Sequence, residues 1–147
     1  MAYFDDTPTA YRNQYVDPDP ARTFVDIDMS FGRHPVSKDV LVKTNEAAIK
    51  QSLVNLVMLN FYEKPFHPSI GGNIYPMLFE NFNVPGTKQR LEKIIKKVIK
   101  SNEPRVEIMS VVATIHPDKN AVSVDINFKI LNTLTPSTVN IFLDIKR

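Results

Sequence analysis

Hydrophobic and polar residues alternate along the second half of the chain. Residues 122–130 and residues 139–145 place an apolar side chain at every second position, and residues 106–115 have a composition typical of β-structure. Strict alternation predicts half-buried β-strands. The turn at residues 116–120 joins two of these strands into a hairpin, and a Thr- and Pro-rich turn at residues 132–137 leads into the last strand.

The first part of the chain is less regular. Residues 23–29 alternate again, which predicts one more half-buried strand, and a short extended piece follows at residues 40–43. The apolar face of the strand consists of Val25, Ile27 and Met29. Residues 1–22 hold four Asp, three Pro and three Tyr without a sustained period, which predicts an extended N-terminal arm.

Three segments have helical periodicity. Thr44 or Asn45 can cap a helix that opens with Glu46 and runs to about Asn60 with a broad apolar stripe. A short helix is predicted within residues 73–82, and a long helix follows in which apolar residues recur at i, i+3, i+4 and i+7. The inward positions are Ile74, Leu78 and Phe79 in the short helix and Leu91, Ile94, Ile95 and Val98 in the long one.

These elements predict an α+β fold. About three helices pack on a mostly antiparallel sheet of about four strands, which ends in a C-terminal β-hairpin and an edge strand. A chain of 147 residues with 43% hydrophobic content is the usual size of one domain with its own core. We therefore expect a single domain over residues 23–147, preceded by the arm at residues 1–22.

Composition excludes several classes of chemistry. The absence of Cys rules out disulfides, thiolate catalysis and Cys-based zinc sites. His34, His67 and His116 are each followed by Pro and lack helical metal-ligand spacing, so we expect no metal and no cofactor. No stretch reaches the roughly 20 apolar residues of a membrane span, and the chain start lacks signal-peptide features, so no membrane partner is expected.

The charge pattern also bears on partners. The net charge is +2, from 18 Lys and Arg against 16 Asp and Glu, which is not the imbalance typical of nucleic-acid-binding proteins. One face of the long helix is basic, and it is either a solvated surface or a contact for an acidic partner. Its residues are Lys88, Arg90, Lys93, Lys96, Lys97 and Lys100. Because aromatics and clustered Arg are missing there, we expect no nucleic-acid binding.

Paired carboxylates are the remaining catalytic possibility, as in glycoside hydrolysis. Nucleotide-binding and serine-hydrolase motifs are absent, which leaves Glu63, Glu80 and Glu103 as candidates by elimination. Glu103 lies beside Arg105, whose guanidinium favours the ionised carboxylate, whereas a general acid has to hold its proton. We therefore expect a protein that is not an enzyme and has no catalytic residues.

Three short motifs, taken in order, connect the chain to a known family. They are Phe66-x-Pro68-x-x-Gly71 followed by Leu78-Phe79-Glu80, then Asn102-Glu103-Pro104-Arg105-Val106 at the end of the long helix, then the β-rich end. Together they resemble the sheath-initiator wedge proteins of contractile phage baseplates, from residue 24 to the C-terminus. The Glu-Pro-Arg triplet is shared with the matching baseplate component of type VI secretion systems. Where the family often has a Gly-x-Arg segment, this chain has Glu63-Lys64-Pro65, which leaves the partner contacts of that loop open.

The resemblance implies two partner-binding regions. Glu103, Pro104 and Arg105 are expected to dock on the helical core bundle of the wedge, because Pro104 ends the helix and the flanking charges project from one rigid corner. A purely structural role of the triplet is the alternative. The last strand is expected to exchange with strands of the tail sheath, since an apolar edge strand accepts further strands. A strand in the centre of the protein's own sheet is the alternative. Its residues are Val139, Ile141, Phe142, Leu143 and Ile145.

The function implied by the resemblance is structural. A protein of this family is expected to connect the baseplate wedge to the tail sheath and to initiate sheath polymerisation, in about six copies per baseplate. Its partners would be the tail sheath protein and other wedge proteins, and its place the tail baseplate of a virion assembled in the host cytoplasm. The alternatives are a lysozyme-like peptidoglycan hydrolase of the tail and the equivalent protein of a type VI secretion system.

Overall fold

A computed structural model describes residues 23–36, 38–78, 86–116, 121–131 and 133–144. The arm at residues 1–22 lies outside these ranges, and the same is true of Phe79, Glu80 and Ile145. The elements in chain order are β1 (Val25–Ile27), β2 (Val42–Thr44), α1 (Asn45–Met58), α2 (Tyr75–Leu78), α3 (Thr87–Asn102), β3 (Val106–His116), β4 (Ala121–Ile130) and β5 (Pro136–Asp144). The α+β prediction is confirmed, with strands divided between two antiparallel sheets.

The larger sheet has the order β3-β4-β5, so β4 is central and β5 is an edge strand as predicted. One side of every strand packs on the helices. On β4 this side carries Val122, Val124, Ile126 and Phe128, all fully buried. A bulge between Ile108 and Ser110 shifts the register of β3 by one residue and leaves Met109 61% exposed.

Helices α1 and α3 cover the inner face of this sheet. Their periodic apolar residues form the core, with Ile49, Leu53 and Val57 from α1 and Leu91, Ile95 and Ile99 from α3 all buried. Helix α1 contacts β5 and α3 contacts β3, so each helix lies under one edge of the sheet. The helices in the described ranges all fall short of the length and hydrophobicity of a membrane span.

The smaller sheet, β1 with β2, corrects one prediction. Val25, Ile27 and Met29 were expected to face inward, but they are 55%, 58% and 55% exposed. Asp26 faces the α3–β3 corner instead, because it pairs with Arg105. Asp28 likewise pairs with Lys43. Tertiary ion pairs therefore set the orientation of a strand whose alternating pattern, taken alone, favours the opposite one.

The helix ends also differ in detail from the predictions. Thr44 is the N-cap of α1, but its side chain makes no capping hydrogen bond. The Asn45 side chain instead accepts a hydrogen bond from the Phe24 backbone N–H at 3.1 Å, and the Asn45 N–H donates to the Phe24 carbonyl at 2.7 Å. These two bonds join the start of β1 to the start of α1. The second helix is short, Tyr75–Leu78, and the chain that follows it lies outside the described ranges until residue 86.

Candidate functional site

The corner between α3 and β3 is built on the Glu-Pro-Arg triplet. Glu103 is the C-cap of α3, and its backbone N–H donates to the Ile99 carbonyl at 2.8 Å. Pro104 follows in the turn, where its ring prevents continuation of the helix. Arg105 then begins the passage into β3, and its carbonyl accepts the Leu131 N–H at 3.1 Å. The triplet is thus bonded through its backbone to both α3 and the end of β4.

The side chains of Glu103 and Arg105 form a two-point ion pair. Arg105 Nε donates to Glu103 Oε1 at 2.6 Å, and Arg105 Nη2 donates to Oε2 at 2.7 Å. The Glu103 side chain is only 3% exposed and that of Arg105 18%. These hydrogen bonds to Glu103 raise the pKa of Arg105 above its already high usual value, so the guanidinium stays charged.

Two further elements converge on this pair. Arg105 Nη1 donates to Asp26 Oδ2 on β1 at 3.2 Å, and the guanidinium carbon lies 5.4 Å from the centre of the Phe24 ring. From α1, Ser52 Oγ donates to Glu103 Oε2 at 2.6 Å. Both carboxylate oxygens of Glu103 therefore accept hydrogen bonds from within the protein, and the buried charge is compensated.

This arrangement places the triplet in the interior more than on the surface. Of the three residues expected to dock on the wedge, Pro104 is exposed, Arg105 is half-buried and Glu103 is buried. The ion pair joins α1, α3, β1 and β3 at one point. Its direct effect is to hold these elements together, and docking through the corner stays a prediction.

Sequence reasoning missed Ser52 and Asp26 as members of this network. Ser52 follows Ile49 by three positions and precedes Leu56 by four, so it is a polar residue on the apolar face of α1. A polar residue in that position is a signal that it has a buried partner. No comparable signal marks Asp26, because its partner lies 79 residues away in the chain.

Removing the Ser52 hydroxyl tests the network with a small change. We expect Ser52→Ala to lower the free energy of unfolding by about 1.5–3 kcal/mol, because it deletes a hydrogen bond to a buried carboxylate. Urea denaturation measures the loss. The matched control is Ser101→Ala on the exposed side of α3, which should change stability by about 0.5 kcal/mol or less. Equal effects of the two substitutions would contradict the role of Ser52.

The last strand, β5, alternates as expected. Val139, Ile141 and Leu143 are buried against the helices, whereas Phe142 is 51% exposed on the outer face. The Phe142 ring lies beside the His116 ring, with centroids 6.1 Å apart. Three of the five predicted sheath-contact side chains thus belong to the protein's own core. These three residues are therefore available to a sheath strand through the backbone and not through their side chains. Ile145 lies outside the described residues.

The direction of the backbone groups on β5 follows from the hydrogen bonds of the sheet. The Ala113 N–H on β3 donates to Glu92 at 2.9 Å, so it points away from β4. Val124 is the partner of Ala113, and its backbone groups therefore point away from β3 and bond to Ile141 on β5. The direction of the backbone groups alternates from one residue to the next along an antiparallel strand. Asn140 and Phe142 therefore direct their N–H and C=O groups toward the free side of β5.

Two of the three carboxylates considered for catalysis lack the required environment. Glu63 accepts hydrogen bonds from the Asn60 side chain at 2.8 Å and from the Asn60 N–H at 2.7 Å, and these bonds lower the pKa of Glu63. A general acid needs a raised pKa. Glu103 is held by Ser52 and Arg105, and Glu80 lies outside the described residues. In the part of the chain that the structure describes, no group of three or more potential metal ligands occurs.

Two solved structures have a fold similar to that of this chain. One is a Geobacter sulfurreducens protein described as a tail lysozyme, with 22% identity, a TM-score of 0.63, and coverage of 73% of this chain and 96% of that one. The other belongs to the six-fold symmetrised baseplate of the anti-feeding prophage, with 19% identity, a TM-score of 0.59, and coverage of 84% and 88%. At these identities the likeness shows the fold alone, and that fold is one found in tail proteins.

Sequence comparison identifies the family. A family model described as baseplate wedge protein gp25 matches residues 43–134, which is more than half of the chain. Baseplate wedge protein gp25 of Enterobacteria phage T4 is 28% identical over 96 residues, covering 65% of this chain and 72% of that protein. The chain therefore belongs to the baseplate wedge protein gp25 family, and its place is the tail baseplate of a phage or phage-like particle.

Proposed function

We propose that this protein connects the baseplate wedge to the tail sheath and initiates sheath polymerisation by pairing a sheath strand with β5. The observation that carries the proposal is the position of β5 at the edge of its sheet, with the backbone groups of Asn140 and Phe142 directed outward. An edge strand with free N–H and C=O groups is a template for strand addition. In an assembly protein, a strand of the next subunit can pair with such an edge and so begin polymerisation.

The contact with the sheath is mainly through the backbone. Val139, Ile141 and Leu143 stay in the core, so an incoming strand forms main-chain hydrogen bonds and packs on the exposed Phe142 ring. Main-chain pairing gives affinity, and the side chain of Phe142 adds specificity. Because the inward side chains hold β5 on the helices, the edge has a defined geometry before the first sheath ring arrives.

The wedge contact lies at the α3–β3 corner. Pro104 is exposed there. The ion pair of Glu103 with Arg105 lies beneath it and holds Pro104 at a fixed position. In this arrangement Arg105 is a positioning residue whose charge acts through the packing of α1, β1 and α3. The six-fold symmetry of the anti-feeding prophage baseplate, which contains a structural neighbour of this chain, supports about six copies per baseplate. The other partners are the remaining wedge proteins.

A catalytic role is the second candidate, because one structural neighbour is described as a tail lysozyme. We propose instead that the protein is not an enzyme, since Glu103 is held by Ser52 and Arg105. The hydrogen bonds from Asn60 lower the pKa of Glu63, which opposes a general acid there. We expect a cell-wall suspension treated with the full chain to keep its turbidity, with a known lysozyme as the positive control. Clearing that disappears in Glu63→Gln would overturn this proposal.

Co-assembly with the cognate tail sheath protein tests the main proposal. Sheath protein is incubated with and without this chain and imaged by electron microscopy. We expect ordered sheath rings to form in greater number and with this protein at one end. Sheath assembly that is indifferent to the protein would leave only a bracing role in the baseplate.

A further inference from the structure

A groove separates the exposed side of α3 from the free edge of β3. Its apolar part is formed by Ile94 on α3 and by Met109 and Val111 on β3, and its rim by three lysines of α3, Lys93, Lys96 and Lys97. The bulge at Met109 opens the groove by turning that side chain outward. Farther along, Glu92 accepts the Ala113 N–H and closes the edge against strand addition.

The lysines on the rim are available for a partner. Lys93, Lys96 and Lys97 form no ion pair with any residue that the structure describes, and each is exposed. Glu92 is the one carboxylate among the described lining residues, and it already interacts with Lys88 at 3.9 Å and with the Ala113 N–H. A groove with an apolar floor and a basic rim suits an acidic segment that also carries apolar side chains.

The chain contains such a segment two residues before the described part begins. Residues 15–20 read Tyr-Val-Asp-Pro-Asp-Pro, with no basic residue among them. Pro18 and Pro20 favour a polyproline II conformation, in which residues i and i+2 are about 6.2 Å apart along the axis. Lys93 and Lys97 are four positions apart on a helix, which is about 6 Å along its axis. The two pairs of charges therefore have matching spacing.

We propose that the groove between α3 and β3 binds residues 15–20 of the same chain, with Asp17 and Asp19 paired to the lysines and the Tyr15 and Val16 side chains against Met109 and Val111. In this position the bound segment covers the basic face of α3 and part of the free edge of β3. This inference is independent of the proposed sheath contact, which concerns β5.

The length of the connecting chain permits this contact. The Phe24 ring lies beside the Arg105 guanidinium. Met109 is four residues beyond Arg105 in the chain, and four residues of a strand span about 13 Å. Asp19 precedes Phe24 by five residues, which span about 17 Å when extended. The five connecting residues are therefore long enough to span the length of β3 between Arg105 and Met109.

Zero-length carbodiimide cross-linking of the full chain tests the proposal, because it joins only carboxylates and amines in contact. Mass spectrometry should find cross-links from Asp17 or Asp19 to Lys93, Lys96 or Lys97. The ion pair of Glu46 with Lys50, at 2.7 Å, is an internal positive control. If Glu46 cross-links to Lys50 and the arm carboxylates do not cross-link to α3, the proposal is overturned.

Lysine acetylation supplies a second measurement. The double variant Asp17→Asn with Asp19→Asn should raise the acetylation rate of Lys93 and Lys97 about fivefold, as expected for two lost surface ion pairs. The matched control, Asp5→Asn with Asp6→Asn, removes two charges from the same arm and should leave these rates unchanged. Equal rates in both variants would contradict the assignment.

Mixing ¹⁵N-labelled and unlabelled protein before cross-linking identifies the chain that supplies the segment. We expect cross-linked peptides of one isotope only. Mixed-isotope peptides would overturn binding within one chain and indicate exchange between copies. None of these measurements requires the sheath protein. A negative result in them therefore does not contradict the proposed sheath contact, and a failure of sheath initiation does not contradict binding in the groove.

Discussion

Replacing Arg105 with alanine is expected to lower the free energy of unfolding by about 3–5 kcal/mol, the usual cost of leaving a buried charge without its partner. Glu103 is 3% exposed and, among the described residues, would retain only the Ser52 hydroxyl as a side-chain partner. A domain of this size is stable by about 5–15 kcal/mol, so the variant should melt at a clearly lower temperature. Calorimetry and urea denaturation measure both quantities.

The control for this prediction is Lys97→Ala, which removes one exposed cation from α3 and should cost about 0.5 kcal/mol or less. A double-mutant cycle with Glu103→Gln separates the pair from its surroundings. Because the two side chains interact directly, the double variant should be less destabilised than the sum of the single ones. Additive effects would show that the ion pair is not the source of the stability.

The same variants test the wedge contact. Asp26→Asn keeps the Glu103–Arg105 pair and weakens only the link from the corner to β1. If Arg105 acts by positioning, wedge binding at a temperature where the protein is folded should fall more in Arg105→Ala than in Asp26→Asn. An Arg105→Ala protein that folds and assembles normally would contradict the predicted role of the triplet in docking.

The second large effect concerns β5. We expect Asn140→Pro to abolish the growth of sheath rings from this protein, because proline removes an outward N–H and blocks the approach of another strand. The bonds of β5 to β4 are made by Val139, Ile141 and Leu143, so the protein's own sheet should remain intact. Electron microscopy of co-assembly reactions counts the rings.

Asn140→Ala is the matched control, since it removes the same side chain and its hydrogen bond to Asp125 but keeps the backbone N–H. It should initiate sheath rings as the unmodified chain does. Far-ultraviolet circular dichroism and thermal melting verify that the proline variant is folded. A folded Asn140→Pro protein that still initiates rings would contradict strand addition at β5. Deletion of the whole strand is less informative, because it removes three core residues.

The helices and the long strands could be predicted from the sequence because their patterns are local. Leu91, Ile95 and Ile99 repeat at helical spacing and are buried together, and the alternation in β5 matches its buried and exposed sides. For the short strand β1, the alternating pattern predicted the wrong buried face. Its three paired residues bury too little area for hydrophobic contacts to outweigh the ion pair that draws Asp26 to Arg105.

The sequence by itself determined the α+β class, the hairpin, the alternating pattern of the last strand and the family motifs, since each depends on residues close together in the chain. Only the tertiary structure decided that the Glu-Pro-Arg triplet is turned inward. That outcome depends on Ser52 and Asp26, which are separated from their partners by 51 and 79 residues. Contacts over such separations exist only after α1, β1 and α3 have packed, because packing brings the buried carboxylate to the donors that compensate its charge.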